Sequence, residues 1–369
     1  MKIAIVHEML IKFGGAEQVV KQIQDIFPES DLFTLLYDEQ KIGKHFPKTE
    51  IHSSCFSLPS QKIYNLLKKQ RLCLPWMPRS AEMLDLSDYD IVLVSSSGMA
   101  HGIITKPETK CVIYYHSPAR YLWDWTNETK ASLGATTGLK GFIFNRIFLN
   151  LRQWDYMAAQ RSDRIIANSH NVAKRIQKYY RKNAEVIYPG VDTKKFFCKD
   201  PKKGKYYIIL SALTEFKNID IAIEAFHIIS DKKLVIIGDG AYRETLESKV
   251  RSNNISFVGA KYGDDLVKLV QESAGLIFPG EEDFGIVPIE VMAAGKPVFA
   301  YKGGGLLESV AEGKTGDFFD DKNGSDFVEK FRVFDKKNSA GEYSPEECIK
   351  QAQKFDKSVF EEKLREITL

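Results

Sequence analysis

The sequence of 369 residues is poor in the features that mark secreted, membrane-spanning or metal-built proteins. Cys55, Cys73, Cys111, Cys198 and Cys348 are scattered without a Cys-x-x-Cys pair. That scatter argues against a zinc site or a disulfide framework and fits a reducing cytosol. The opening MKIAIVHEML has one lysine, a short apolar run and then His7 and Glu8, which reads as a strand rather than a signal peptide. No apolar run reaches the roughly 18 residues of a membrane helix. A secreted binding protein is therefore disfavoured. Net charge is +3, from 52 basic and 49 acidic residues, too small an excess to suggest nucleic-acid binding.

What is present is an ordinary globular balance, 44% hydrophobic and 27% charged, which sets aside extended disorder, collagen and coiled coil. The length fits two domains of medium size. KIAIV (2–6), IVLVSS (91–96), CVIYYH (111–116), RIIANS (164–169) and EVIYP (185–189) read as buried strands. GGAEQVVKQIQDIF (14–27) carries Val19, Val20, Ile23 and Phe27 at helical spacing. After TKKFFCKDPKKGK (193–205), which looks like a linker, a second series follows: YYIILSA (206–212), KLVIIG (233–238), ISFVG (255–259), GLIFPG (275–280) and PVFAYKG (297–303). NIDIAIEAFHIIS (218–230) and VPIEVMAAG (287–295) are helical patterns between those strands. Apolar strands alternating with helices predict parallel sheets covered on both faces. The last segment, 344–369, reads as helical and starts well at Ser344-Pro345-Glu346-Glu347.

Several nucleotide and hydrolase motifs are missing. Gly313-Lys314-Thr315 lacks the earlier glycine of a phosphate-binding loop, with Glu308 in its place. Gly238-Asp239-Gly240 follows a strand, but Arg243 stands where a dinucleotide fingerprint has its third glycine. His7-Glu8 has no second histidine four residues on, and no G-x-S-x-G elbow occurs.

The most informative stretch is PGEEDFGIVPIE (279–290), in which Glu282 and Glu290 have seven residues between them. Glu282 falls just after a strand, at the edge where parallel sheets bind ligands. Glu290 is expected in the first turn of the helix that follows. Gly285 lets backbone approach a ligand, and the free N–H groups at the helix start favour phosphate. Paired carboxylates there suit sugar hydroxyls. The competing reading is a solvated Glu282 and a Glu290 that complements the helix dipole.

The string EDFGIVPIEVMAAGKPV resembles the signature of retaining GT-B glycosyltransferases, the large family that includes bacterial lipopolysaccharide mannosyltransferases (glycosyltransferase group 1, glycosyltransferase family 4). Gly14-Gly15-Ala16-Glu17, the stretch Tyr114 to Asp124, Ala167-Asn168-Ser169, Tyr188 to Asp192, Lys217 to Asp220 and Gly304 to Glu308 agree with it, in the family's order. The resemblance implies an α/β GT-B fold, two Rossmann-like parallel-sheet domains facing across a cleft. It implies an acceptor-side domain over 1–190, joined by 346–369 crossing back, and a nucleotide-sugar domain over 191–345.

The resemblance also assigns roles. Glu290 would hold the ribose hydroxyls. Glu282 would contact the donor sugar, helped by the backbone of Phe284, Gly285, Ile286 and Val287. Lys217 would neutralise the leaving diphosphate, and Gly14-Gly15 would form the facing loop. His116 would lie near the sugar's reacting face, and a structural, hydrogen-bonded histidine is the competing reading. Arg120 is a candidate for a phosphate or anionic acceptor group, or an ion pair with Asp124. The donor's base would meet backbone around Gly238–Gly240 and Phe257–Gly259, including Val258. Many relatives place an arginine shortly before the lysine, where this chain has Ala212.

The reaction implied is hexose transfer, from GDP-mannose first and a UDP-sugar second, onto a lipid-linked or oligosaccharide acceptor in O-antigen or polysaccharide biosynthesis. No cofactor or metal is expected, since no DxD-type pair of aspartates follows a plausible strand end. No nucleic acid is expected either. A sugar-nucleotide epimerase and a non-catalytic nucleotide-sugar-binding protein are the rivals. Between Glu50 and Glu82 there is no acid, while Lys62, Lys68, Lys69, Arg71 and Arg79 alternate with Ile63, Tyr64, Leu66, Leu67, Leu72, Leu74 and Trp76. Such a segment (62–79) suits an anionic membrane surface or a solvated helix with a buried stripe. The expected location is the cytoplasm, peripheral on the inner membrane face. FIFNRIFLNLRQW (142–154) is a second such segment that reads as an internal helix.

Overall fold

The computed structural model describes residues 1–47, 51–53, 63–66, 70–199, 201 and 204–369. The chain divides into one compact unit of Met1–Tyr188 with Glu361–Leu369, and a second of Pro189–Phe360.

The first unit is built on strands β1 (Ile3–His7), β2 (Asp31–Thr34), β3 (Ile51–Ser53), β4 (Ile91–Ser96), β5 (Lys110–Tyr115), β6 (Arg164–Ala167) and β7 (Glu185–Val186). They pair in the order β3-β2-β1-β4-β5-β6-β7, every pair parallel. Strand β4 is buried along its whole length, as its unbroken IVLVSS run requires of a sheet covered on both faces. The helix Gly15–Ile26 covers the sheet with Val19, Val20 and Ile23. Ser169 caps the helix His170–Tyr180 by accepting from the Val172 N–H. The strand order reverses between β1 and β4, so the loops after these two strands flank the crevice where such sheets bind ligands.

The second unit has strands β8 (Tyr207–Leu210), β9 (Leu234–Ile237), β10 (Ile255–Gly259), β11 (Gly275–Phe278), β12 (Val298–Tyr301) and β13 (Gly316–Phe319). Their order, β10-β9-β8-β11-β12-β13, is that of a Rossmann sheet, and its reversal lies between β8 and β11. A cluster of aromatics, Phe226, Phe299, Phe319, Phe327, Phe331 and Phe334, fills the core on one face.

Several expectations change. Strands β2, β3 and β13 are short and carry Asp31, His52 or Asp317 inside or beside few apolar residues, which hid them in the sequence. The stretch 193–205 is not a plain linker: Asp192 caps a turn of helix at Thr193–Phe196, and the division between the units falls at Tyr188/Pro189. The returning segment is also shorter than 346–369. Pro345–Gln353, capped by Ser344, belongs to the second unit, and only Glu361–Leu369 belongs to the first, where Arg365 donates to the Ile26 carbonyl.

The segment 142–154 lies in a helix, Gly138–Ala159, that is not internal on all sides. Phe144, Phe148 and Leu151 are buried, whereas Leu139, Phe142, Ile143, Leu149 and Met157 are exposed. Within 62–79, Lys62, Leu67, Lys68, Lys69 and the Arg71 side chain lie outside the described residues. Of the remainder, Tyr64, Cys73 and Met77 are buried while Leu66, Leu72 and Trp76 are exposed. Among the described residues no helix is long and apolar enough to cross a membrane.

Candidate functional site

The loops at the carboxyl edge of the second sheet pack on one another through glycines. Gly238, at φ +147°, lies so close to the Ser211 carbonyl that any Cβ would collide with it, and Gly240 meets Leu213 in the same way. The Leu213 N–H donates to the Asp239 carbonyl at 3.0 Å, tying the loop after β8 to the loop after β9. Val258 stands where the β9–β10 register shifts, beside this pair of loops.

Beyond Leu213 the chain turns through Glu215–Lys217, and Asn218 adopts the left-handed conformation (φ 51°) that short polar side chains tolerate. That turn brings the backbone of Lys217 onto Gly280, where an added Cβ would stand 3.2 Å from the Lys217 Cα. The loop after β12 closes the edge. Its Gly305 N–H donates to the Glu282 carbonyl at 2.8 Å, and Gly304 leaves no room for a side chain against that carbonyl.

Several of the expected site residues gather here. Lys217 and Glu282, from the loops after β8 and β11, form an ion pair at the reversal of strand order. Gly285 takes φ +92° at the start of the helix Ile286–Ala293, a conformation that a side chain would strain. Phe284 turns inward and packs on Phe355 at 5.6 Å, so its contribution to the edge is backbone. Ile286 and Val287 open the helix and are half-buried.

Glu290 lies beyond the first turn of this helix, which carries no acid, so the dipole argument for it fails. Its environment is instead desolvated. Burial lifts its carboxyl to about 7, with Lys195 pulling weakly in the other direction. Arg243 also stands on this edge, paired with Glu247 at 2.8 Å and Asp239 at 3.5 Å, while Ala212 is exposed in the loop after β8. A cavity of about 450 Å³ opens at the opposite edge, where Tyr207 and Pro297 begin their strands, and none of the expected site residues lines it.

In the first unit, the loop after β1 is held by a single side-chain hydrogen bond from the helix's first turn. The Gly14 N–H donates to Glu17 Oε2 at 2.8 Å, which fixes Gly14-Gly15 at the head of the helix. Glu17 Oε1 lies 3.7 Å from His7 Nε2 at the end of β1. Burial pushes the Glu17 carboxyl up, but His7 and the Gly14 N–H together outweigh it and leave the pKa below the usual glutamate value. His7 Nδ1 lies 3.0 Å from Ser95 Oγ, and Ser95 Oγ lies 2.8 Å from Nε2 of His116, just past the end of β5. Desolvation, reinforced by His7, lowers the His116 imidazole pKa to about 3, which favours the neutral ring. Arg120 stacks on Trp125 with 3.5 Å to the ring centroid and stands 3.8 Å from Asp124, which Arg175 also holds at 2.8 Å.

Residues 14–195 match Glycosyltransferase Family 4, and residues 191–355 match Glycosyl transferases group 1. The chain is made of these two glycosyltransferase domains. An uncharacterized glycosyltransferase of Methanocaldococcus jannaschii is 32% identical over 198 residues, covering 52% of this chain and 53% of that one. The chain thus spans about half the length of that relative. The alpha-1,3/1,6-mannosyltransferase ALG2 of Candida glabrata is 24% identical over 371 residues, covering 84% of this chain and 78% of that one. Among solved structures, Anabaena Alr3699/HepE in complex with UDP superposes with a TM-score of 0.72 at 17% identity, covering 100% of this chain and 99% of that chain. The fold is GT-B.

Spacing singles out Glu282 and Glu290, and the family resemblance adds Lys217, but neither points to His7 and Ser95 in the family 4 domain. Each is a polar residue at the end of an apolar strand, and polar strand ends at a reversal of strand order are the signal that points to them.

Proposed function

We propose that the protein is a retaining glycosyltransferase that moves a hexose, mannose from GDP-mannose in the first instance, onto a glycan or lipid-linked acceptor in O-antigen or polysaccharide synthesis. The observation that carries this reading is the meeting of Lys217 and Glu282 at the strand-order reversal of the second sheet, with Glu290 on the helix that follows Glu282. In this reading Glu290 accepts from ribose hydroxyls. Glu282, with backbone from Phe284 to Val287, contacts the sugar. Lys217 faces the diphosphate, whose charge it offsets with three donors.

The anomeric carbon loses its bond to the diphosphate oxygen and gains one to the acceptor oxygen. The acceptor's proton passes to the departing phosphate on the same face, which gives retention. Lys217 and the helix N-terminus at Gly285 stabilise the leaving group, and no metal is required. The mannosyltransferase relative supports the choice of mannose. A UDP-sugar is the second reading, favoured by the UDP held by the Anabaena neighbour.

A lipid-linked acceptor would require the enzyme to work at the cytoplasmic face of a membrane. The exposed apolar residues of Gly138–Ala159 support that placement.

Incubation with GDP-mannose or UDP-glucose and membrane extract, with and without EDTA, followed by NMR of the product, tests the reading. An α-linked mannoside formed in EDTA is expected. A β-linkage or loss of activity with EDTA overturns the mechanism. Turnover of UDP-glucose alone corrects only the donor, and isomerised or hydrolysed donor without acceptor product points to an epimerase.

A further inference from the structure

Four buried or half-buried groups from four elements form a line in the first unit: Glu17 on its helix, His7 on β1, Ser95 on β4 and His116 after β5. His7 is 1% exposed, Ser95 0% and Glu17 6%, so no bulk water competes for their protons, whereas His116 is only half-buried. The roles of donor and acceptor along the line are fixed by what each atom can do.

His7 Nδ1 lies 3.2 Å from the Ser95 backbone carbonyl, which can only accept, so Nδ1 carries the proton. The same N–H points at Ser95 Oγ, 3.0 Å away. The hydroxyl therefore receives from His7 and must place its own proton elsewhere. Among the described residues, His116 Nε2, at 2.8 Å, is the acceptor in reach. An imidazole that accepts at Nε2 is neutral only with its proton on Nδ1. The neutral state fits the depressed pKa of the ring. The charged and titratable groups around it are His7 and Glu17, with Tyr114 packed edge-on at 5.3 Å.

We propose that His7 and Ser95 are positioning residues that hold His116 as its Nδ1–H tautomer, so that the ring offers a hydrogen-bond donor, and not a base, to a hydroxyl or ring oxygen bound beside it. The Glu17 carboxylate keeps His7 in register and, through the Gly14 N–H, links the line to the Gly14-Gly15 loop. The use of this donor in sugar transfer rests on the proposed function; the tautomer itself does not.

The test is long-range proton–nitrogen NMR on the full chain labelled with ¹⁵N-histidine and otherwise deuterated, at neutral pH. The chain has seven histidines, and a His116→Gln sample assigns the ring. Wild type is expected to show Nδ1 protonated and Nε2 bare. Ser95→Ala should shift the ring to the Nε2–H form or to a mixture, and Ser95→Thr, which keeps the hydroxyl, should restore the wild-type pattern. An Nε2–H ring in wild type, or an unchanged tautomer in a folded Ser95→Ala protein, overturns the proposal. With an active donor in hand, Ser95→Ala should lower kcat roughly tenfold with little change in KM, and Ser95→Thr should recover most of it. A correct tautomer with no turnover from any donor would leave this proposal standing and remove the transferase reading.

Discussion

Lys217 and Glu282, 65 residues apart in the sequence, close an ion pair across the strand-order reversal of the second sheet, each of them partly exposed. A diphosphate that binds Lys217 therefore meets a cation already engaged. Exchange of the carboxylate for phosphate is part of the cost of binding. Glu282→Gln should release the lysine, and affinity for the bare nucleoside diphosphate should rise up to about fivefold, because an exposed pair is worth ~0–1 kcal/mol. If Glu282 holds the sugar as proposed, turnover should fall, because a neutral amide accepts more weakly than a carboxylate. Lys217→Ala should reduce turnover much more than it weakens nucleoside binding. Calorimetry with the nucleoside diphosphate and the nucleoside, beside a transfer assay, separates these effects. Wild-type turnover in Lys217→Ala would move the diphosphate role to another cation, such as Arg243.

The pair also shows what was legible beforehand. Runs such as IVLVSS and YYIIL declare themselves as strands because a parallel sheet covered on both faces needs unbroken apolar sequence. Glu282 and Glu290 are visible because they bracket a strand end, a glycine and a helix start. Hidden features have two causes. Strands such as Ile51–Ser53 are too short for a pattern, and side chains such as His7 and Ser95 acquire a role only when β1 and β4 lie side by side. The helix Gly138–Ala159 misled for a third reason: FIFNRIFLNL is apolar on both faces, so periodicity cannot say that Phe144 and Phe148 go in while Phe142 and Ile143 stay out.

That outward face yields a second prediction. Leu139, Phe142 and Ile143 are exposed, and the helix carries Lys140, Arg146 and Arg152, while its one acid, Asp155, is fully buried. An apolar stripe with basic neighbours binds an anionic bilayer through both terms. The protein should sediment with phosphatidylglycerol vesicles at low salt. Binding should fall as salt rises, because the Debye length shrinks from ~30 Å at 0.01 M to ~10 Å at 0.1 M. Replacing Phe142 and Ile143 together with glutamate should abolish most of it without unfolding, since both side chains already face water. Equal binding by that variant would assign any membrane contact to another surface, with 62–79 the first to try.

Glu290 gives a prediction in which stability and binding move in opposite directions. Its carboxyl is lifted from 4.5 to about 7 by desolvation. Between those values the native state binds more protons than the unfolded chain, so the linked contribution is full below pH 4.5 and is lost as pH rises through 7. The loss amounts to at most on the order of 3 kcal/mol, reduced by whatever water reaches the half-buried side chain. Glu290→Gln cannot ionise, so its denaturation midpoint should fall less than that of wild type between pH 5 and pH 8. If Glu290 holds the ribose as proposed, the same substitution removes charge-assisted hydrogen bonds and should weaken nucleotide binding by about 1.5–3 kcal/mol. Ribose hydroxyls favour the ionised carboxylate, so below pH 7 nucleotide binding by wild type should release a proton and tighten as pH rises. Calorimetry in two buffers of different ionisation enthalpy measures that release directly. A variant that gains relative stability at high pH but keeps wild-type affinity and releases no fewer protons would confirm the desolvated carboxyl and remove Glu290 from the nucleotide site.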